Sequence, residues 1–146
     1  MKILFFIRSL GLGGAERQLV NLAIGLKKRG HEISVVTMYS GGVFEDLLLV
    51  SEIPIYCLDK DDRWQIFTPL IRLQRIFKTV QPDLLHSYGP ETNVFLVIHR
   101  FLFRRYPLVW GVRVAGLERE LYGRFEKILY WFECRWSRVP DLIIFN

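Results

Sequence analysis

The chain is poor in the residues that build metal centres and disulfide frameworks. It carries 2 cysteines and 3 histidines in 146 residues. Cys57 and Cys134 stand far apart, and His31, His86 and His99 are scattered. Structural metal sites need clustered Cys and His, and disulfide scaffolds need dense cysteine pairs. Neither class fits, and two free thiols suit a reducing compartment. Long apolar runs are also missing. Stretches such as Val94–Ile98 and Ile128–Phe132 fall far below the ~18 residues of a membrane helix. At the N-terminus, Arg8 cuts the apolar stretch Ile3–Ile7 below the roughly 7–15 residues of a signal-peptide core, and no small-residue cleavage site follows. The stretch reads as a first strand, and the protein as cytosolic.

Two nucleotide fingerprints are absent as well. The stretch RSLGLGGAERQL, Arg8 to Leu19, places Gly11, Gly13 and Gly14 after the first apolar run. A dinucleotide site wants G-x-G-x-x-G, with an acid about 20 residues further on for the ribose. Here the third glycine position is Glu16, and the second strand ends in Thr37-Met38 rather than an acid. No G-x-x-x-x-G-K-[ST] occurs either. These gaps weigh against a nicotinamide-dependent oxidoreductase and against a P-loop enzyme. The loop still allows close backbone approach to a ligand, and N–H groups at a helix start favour an anion or a hydroxyl-rich group. A tight turn with helix–strand packing would use the same residues.

What is present is a foldable composition. Hydrophobic residues make up 51% and charged residues 24%, so the chain can bury a core without staples. One domain is the expectation. Net charge is +5, and the segment His99–Arg138 carries that excess, with nine basic residues against four acids. A basic region suits an anionic membrane surface or a nucleic acid, or it is a solvated helix face. The basic residues lie on no nucleic-acid recognition element, so nucleic acid is not the expected partner.

Apolar runs alternate with helical periodicity throughout. Strands are expected at Lys2–Arg8, Glu32–Thr37, Pro54–Leu58, Asp83–His86, Leu108–Val112 and Asp141–Phe145. Helices are expected at Gly14–Arg29, near Phe44–Val50, at Arg63–Val80 with a kink or break at Pro69, at Glu91–Arg105, and at Leu117–Ser137. In the first helix Ala15, Leu19, Leu22, Ala23 and Leu26 share a stripe; in the last, Leu121, Phe125, Ile128, Leu129, Phe132 and Trp136 do. Crossovers of a dozen or more residues demand parallel strands. The expected fold class is α/β: a doubly wound, Rossmann-like parallel sheet of order 3-2-1-4-5-6. The chain stops at the lip of its last strand, which reads as a domain cut from a longer protein. A complete, non-catalytic binding module is the alternative.

Ligands in such sheets bind beyond the carboxyl ends of the strands. That criterion selects Gly13, Gly14, Glu16 and Arg17 after strand one. It selects Thr37 to Gly42 after strand two, His86, Ser87 and Tyr88 after strand four, and Arg113 to Glu118 after strand five. A histidine ending a strand can bond a sugar hydroxyl or a developing charge, and an arginine can grip phosphate or carboxylate. Each also has a structural reading, as a satisfied core histidine or a loop ion pair. Tyr130 and Trp131 fall off the last helix's stripe among arginines, which suits a membrane interface or contact with a further domain.

Four segments together resemble one family. GGAERQLVNLAIGLKKRGHEISVVT (Gly13–Thr37), QPDLLHSYG (Gln81–Gly89), VWGVR (Val109–Arg113) and PDLIIFN (Pro140–Asn146) resemble, in order, the N-terminal half of GT-B glycosyltransferases of family 4. The resemblance implies the acceptor-side domain of a two-domain enzyme, residues 1–146, with the C-terminal donor domain absent. It implies sugar transfer from a nucleotide-sugar to a lipid, polysaccharide or small acceptor, with retention and no metal or other cofactor. It places Gly13 and Gly14 near donor phosphate or acceptor, Glu16 and Arg17 facing the acceptor, catalytic His86 near the transferred sugar, and Arg113 at the cleft edge. Glu118 and Glu126 show the family's E-x7-E spacing, but that motif belongs to the second domain after a glycine-rich loop, so the match is coincidence. The chain alone is expected to be inactive, with peripheral contact at the inner membrane face.

Overall fold

A computed structural model describes residues 1–62, 65–103, 106–112 and 123–145, the side chain of Glu126 excepted. The elements run β1 (Lys2–Ile7), α1 (Gly14–Lys28), β2 (Glu32–Thr37), α2 (Glu45–Val50), β3 (Ile55–Cys57), α3 (Phe67–Val80), β4 (Leu84–Tyr88), α4 (Pro90–Leu102), β5 (Leu108–Val112), α5 (Arg124–Arg135) and β6 (Leu142–Phe145). All strand pairings are parallel. The order is β3-β2-β1-β4-β5-β6, as the alternation predicts.

The sheet buries both faces, so its central strands are almost wholly apolar. Ile3, Phe5 and Ile7 pack with Leu19, Val20 and Ala23 of α1 on one side. Leu4, Phe6 and Trp110 pack with Leu73, Phe77, Phe95 and Leu96 on the other. In α1 the stripe differs in detail from its pattern: Val20 is buried while Leu22 is 37% exposed.

Two aspartates set the register at the amino edge. Asp83 N–H donates to Lys2 O at 2.8 Å, and the Asp83 carboxylate accepts Lys2 N–H at 2.7 Å. Asp141 repeats the arrangement on Leu108, 2.8 Å in each direction. Each follows a proline, Pro82 or Pro140, so the two Pro-Asp pairs are one device used twice. Arg100 adds an ion pair to Asp141 at 3.0 Å.

Three expectations are corrected. Pro69 neither kinks nor splits α3, because the helix starts at Phe67; its missing N–H falls among the donors that a first turn leaves unpaired anyway. Strand β4 runs on to Tyr88 instead of ending at His86. In α5, Ile128 is 46% exposed and Glu133 is buried, which shifts the helix's inner face. The first part of the expected last helix, Leu117 to Tyr122, lies outside the described residues, as do Arg63, Arg113 and Glu118.

Candidate functional site at the carboxyl edge of the sheet

The strand order reverses direction between β1 and β4, and the crevice at such a switch point is where open α/β sheets take ligands. The glycine loop leaves β1 there. Gly13 caps α1 in extended backbone, and the Glu16 carboxylate folds back into the space a Gly13 side chain would fill. Glu16 therefore folds over the helix start, where the helix dipole favours its negative charge. Leu12, Gly13, Gly14 and Arg17 line an open depression of about 360 Å³, and Arg17 is exposed there.

The loop is held from behind by Gly42. Its φ is +153°, and a Cβ would lie 2.3 Å from the Leu10 carbonyl carbon. Phe44 N–H then bonds Leu10 O at 3.1 Å. On the β4 side, Gly89 has φ +92° and passes the chain directly into Pro90 at the start of α4. A side chain is strained at such angles.

The three β4 residues are not the exposed group that the strand-end criterion predicts. His86 is the third residue of five, 7% exposed, and its Nε2 has no hydrogen-bond partner among the described residues. It stacks on Tyr88 at 4.6 Å and faces Phe5 at 5.4 Å. Burial pushes its imidazole down to about 4. It is a buried histidine two residues before the end of β4, which corrects its placement at the strand's end. Ser87 is fully buried on the opposite face, donating to Asn93 Oδ1 at 2.5 Å. Asn93 Nδ2 in turn donates to Glu133 Oε1. Ser87 thus ties β4 to α4 and α5. Tyr88 ends the strand and is buried; Gly111 opposite leaves room for its ring, since a Cβ there would lie 3.1 Å from it.

A charged cluster, of which the strand-end list held only Tyr39, stands at the same edge. Arg8 follows β1, Tyr39 follows β2, Lys60 follows β3 and Glu91 opens α4. Lys60 Nζ lies 2.6 Å from Glu91 Oε1, and Arg8 Nε lies 3.5 Å from Glu91 Oε2. The guanidinium carbon of Arg8 stands 5.4 Å from the Tyr39 ring centroid. Backbone bonds align the exits: Met38 and Tyr39 N–H donate to Arg8 O, and Lys60 N–H donates to Met38 O. Glu91 was discoverable once the helix start is read from Gly89-Pro90. Lys60 gave no signal, because a lone lysine after a short edge strand looks like any surface lysine. Among the described residues no group of three or more His, Cys, Asp or Glu could hold a metal ion, and no helix is long and apolar enough to cross a membrane.

Sheet order, glycine loop and switch-point crevice define a Rossmann-like α/β domain. The family model of Glycosyltransferase Family 4 matches residues 12–146, and the chain belongs to that family. It is 33% identical over 101 residues to a GalNAc-alpha-(1->4)-GalNAc-alpha-(1->3)-diNAcBac-PP-undecaprenol alpha-1,4-N-acetyl-D-galactosaminyltransferase of Campylobacter jejuni, covering 64% of this chain and 27% of that protein. It is 46% identical over 102 residues to an alpha-1,3/1,6-mannosyltransferase of Candida glabrata, covering 66% of this chain and 22% of that one. The chain thus spans about a quarter of the length of these relatives. In fold it is similar to Anabaena HepE, solved with UDP and glucose, at TM-score 0.71 and 23% identity over 98% of this chain and 37% of that one. Acinetobacter baumannii MurG gives TM-score 0.68 at 18% identity over 99% of this chain and 41% of that one.

Proposed function

We propose that the chain is the acceptor-side half of a two-domain glycosyltransferase. In this reading a second, donor-binding domain completes the enzyme, and a sugar passes from a nucleotide-sugar to an acceptor held against this half. The observation that carries it is the open depression at the switch point, lined by Leu12, Gly13, Gly14 and Arg17, in a chain of this family. Backbone N–H groups at the start of α1 and the Arg17 cation suit a hydroxyl-rich or anionic ligand.

A lipid-linked acceptor at the cytoplasmic membrane face is the acceptor class we favour. The name of the C. jejuni relative includes an undecaprenol-linked glycan, and Arg124, Lys127, Arg135 and Arg138 are exposed on and beyond α5 beside Trp131, itself 62% exposed. Transfer with retention and without a metal ion completes the proposal, on the family's pattern. The test is sugar transfer by the full-length gene product, offered a panel of nucleotide-sugars with lipid-linked and soluble glycan acceptors. Product anomer is read by NMR, with and without EDTA. No transfer to any acceptor from any donor would sink the transferase reading. Transfer abolished by EDTA, or with inversion, would overturn those parts alone.

A further inference from the structure

Arg8 and Glu91 stand on opposite sides of the switch point, one leaving β1 and the other in the first turn of α4. Glu91 serves both Arg8 and Lys60, through different carboxylate oxygens. Among the described residues no other carboxylate lies within ion-pair distance of either cation. Two cations therefore share one anion, and one positive charge is left over. Its location follows from burial. The Lys60 side chain is 2% exposed and that of Arg8 62% exposed, so Arg8 presents the excess outward.

The guanidinium is also oriented before any ligand arrives. Glu91 Oε2 lies 3.5 Å from its Nε, and its central carbon stands over the Tyr39 ring, 5.4 Å from the centroid. Its terminal nitrogens have no partner among the described residues. A bare carboxylate in the first turn of α4 would repel an anion from that helix end. Lys60 neutralises it from below, so the end stays favourable to negative charge.

From this geometry we infer that Arg8 is a phosphate-binding residue of the cleft, positioned by Glu91 and Tyr39, with Lys60 as the buried counter-charge. A guanidinium offers parallel N–H donors that match phosphate oxygens, and lysine does not. The inference rests on the acceptor-side reading above and adds the ligand's chemistry: a phosphate or pyrophosphate group reaches the β1–β4 crevice. That group belongs either to the acceptor or to the donor.

The test is calorimetric titration of the full-length protein with inorganic pyrophosphate, comparing the native protein with Arg8→Gln and Arg8→Lys. Loss of a charge-assisted contact predicts about tenfold weaker binding in the Gln variant and an intermediate value for Lys. Thermal unfolding should be unchanged in both, because Arg8 is exposed. A Lys60→Met/Glu91→Leu double variant keeps Arg8 but removes its anchor, and should bind several-fold more weakly than the native protein. Equal affinity in native protein and Arg8→Gln overturns the inference. Repeating the comparison under saturating UDP separates the sources. A persisting Arg8 effect assigns the phosphate to the acceptor and a vanishing one to the donor, and both support a phosphate site. Binding is read without turnover, so a protein that transfers no sugar yet shows the Arg8 effect loses the transferase reading alone. An active transferase with no Arg8 effect loses this inference alone.

Discussion

His86 lies against Tyr88 with ring centroids 4.6 Å apart and planes inclined by 29°. His86 Nε2 has no partner among the described residues, and burial lowers the imidazole to about 4, as it does for His99 between Phe77 and Phe103. Neither should titrate between pH 8 and 5.5 by NMR. Both values are below the ordinary 6.5, so the unfolded chain takes up protons that the native state refuses. Stability is then full above about pH 6.5 and falls as pH drops towards 4, by about 2 kcal/mol per histidine between pH 7.5 and 5. His86→Phe should remove its share of that loss. Urea unfolding at the two pH values measures it. An unchanged slope in the variant would place His86 in contact with solvent.

The sheet order was legible because period and crossover length leave few alternatives once both faces must be covered. The position of Gly13, Gly14 and Arg17 at the sheet's carboxyl edge was legible too, since the end of β1 is unmistakable. The β4 residues were misread by one local error. A strand ending at His86 exposes it, and two more residues bury it. Alternation then sends Ser87 to α4 and His86 to α1. Glu133 escaped notice for a related reason. Periodicity marks apolar residues as inner, and a buried carboxylate held by Asn93 has no pattern in one dimension. Lys60 meets Glu91 across 31 positions of chain, and only the fold brings them together.

The two glycines flanking the loop should respond differently to alanine. At Gly42 the new Cβ meets Leu10 backbone at 2.3 Å with φ +153°. Backbone cannot move aside cheaply, so Gly42→Ala should cost roughly 2–4 kcal/mol. At Gly13 the obstacle is the far end of the Glu16 side chain, which can swing away in backbone that any residue adopts. Gly13→Ala should cost about 1 kcal/mol or less, while narrowing the depression. Chemical denaturation of the pair decides it, and equal costs would contradict the buttressing role of Gly42.

The Lys60–Glu91 pair predicts a non-additive cycle. Lys60→Met alone leaves Glu91 with only the longer, more exposed pair to Arg8 at 3.5 Å, and Glu91→Leu alone leaves a buried ammonium unpaired. Each single change should cost about 3–5 kcal/mol, and the double replacement far less than their total. Full additivity in urea unfolding would show that the two charges do not depend on each other.

The chain Ser87–Asn93–Glu133 fixes a fourth test. Ser87 and Asn93 are fully buried, and Asn93 Oδ1 accepts from Ser87 while its Nδ2 donates to Glu133. Burial holds the Glu133 carboxyl above its ordinary 4.5, partly offset by the Asn93 bond. A raised carboxyl contributes stability below that ordinary value and loses it as pH rises through the folded one. Glu133→Gln keeps an acceptor for Asn93 and carries no charge to desolvate. It should match or exceed the native protein at pH 7 by up to about 1 kcal/mol, with the gap closing near pH 4. Glu133→Ala strands the Asn93 amide and should cost about 1–3 kcal/mol at both pH values. Thermal unfolding of the two variants separates the accounts. If Gln is as damaging as Ala, the carboxylate's charge is what α4 and α5 require.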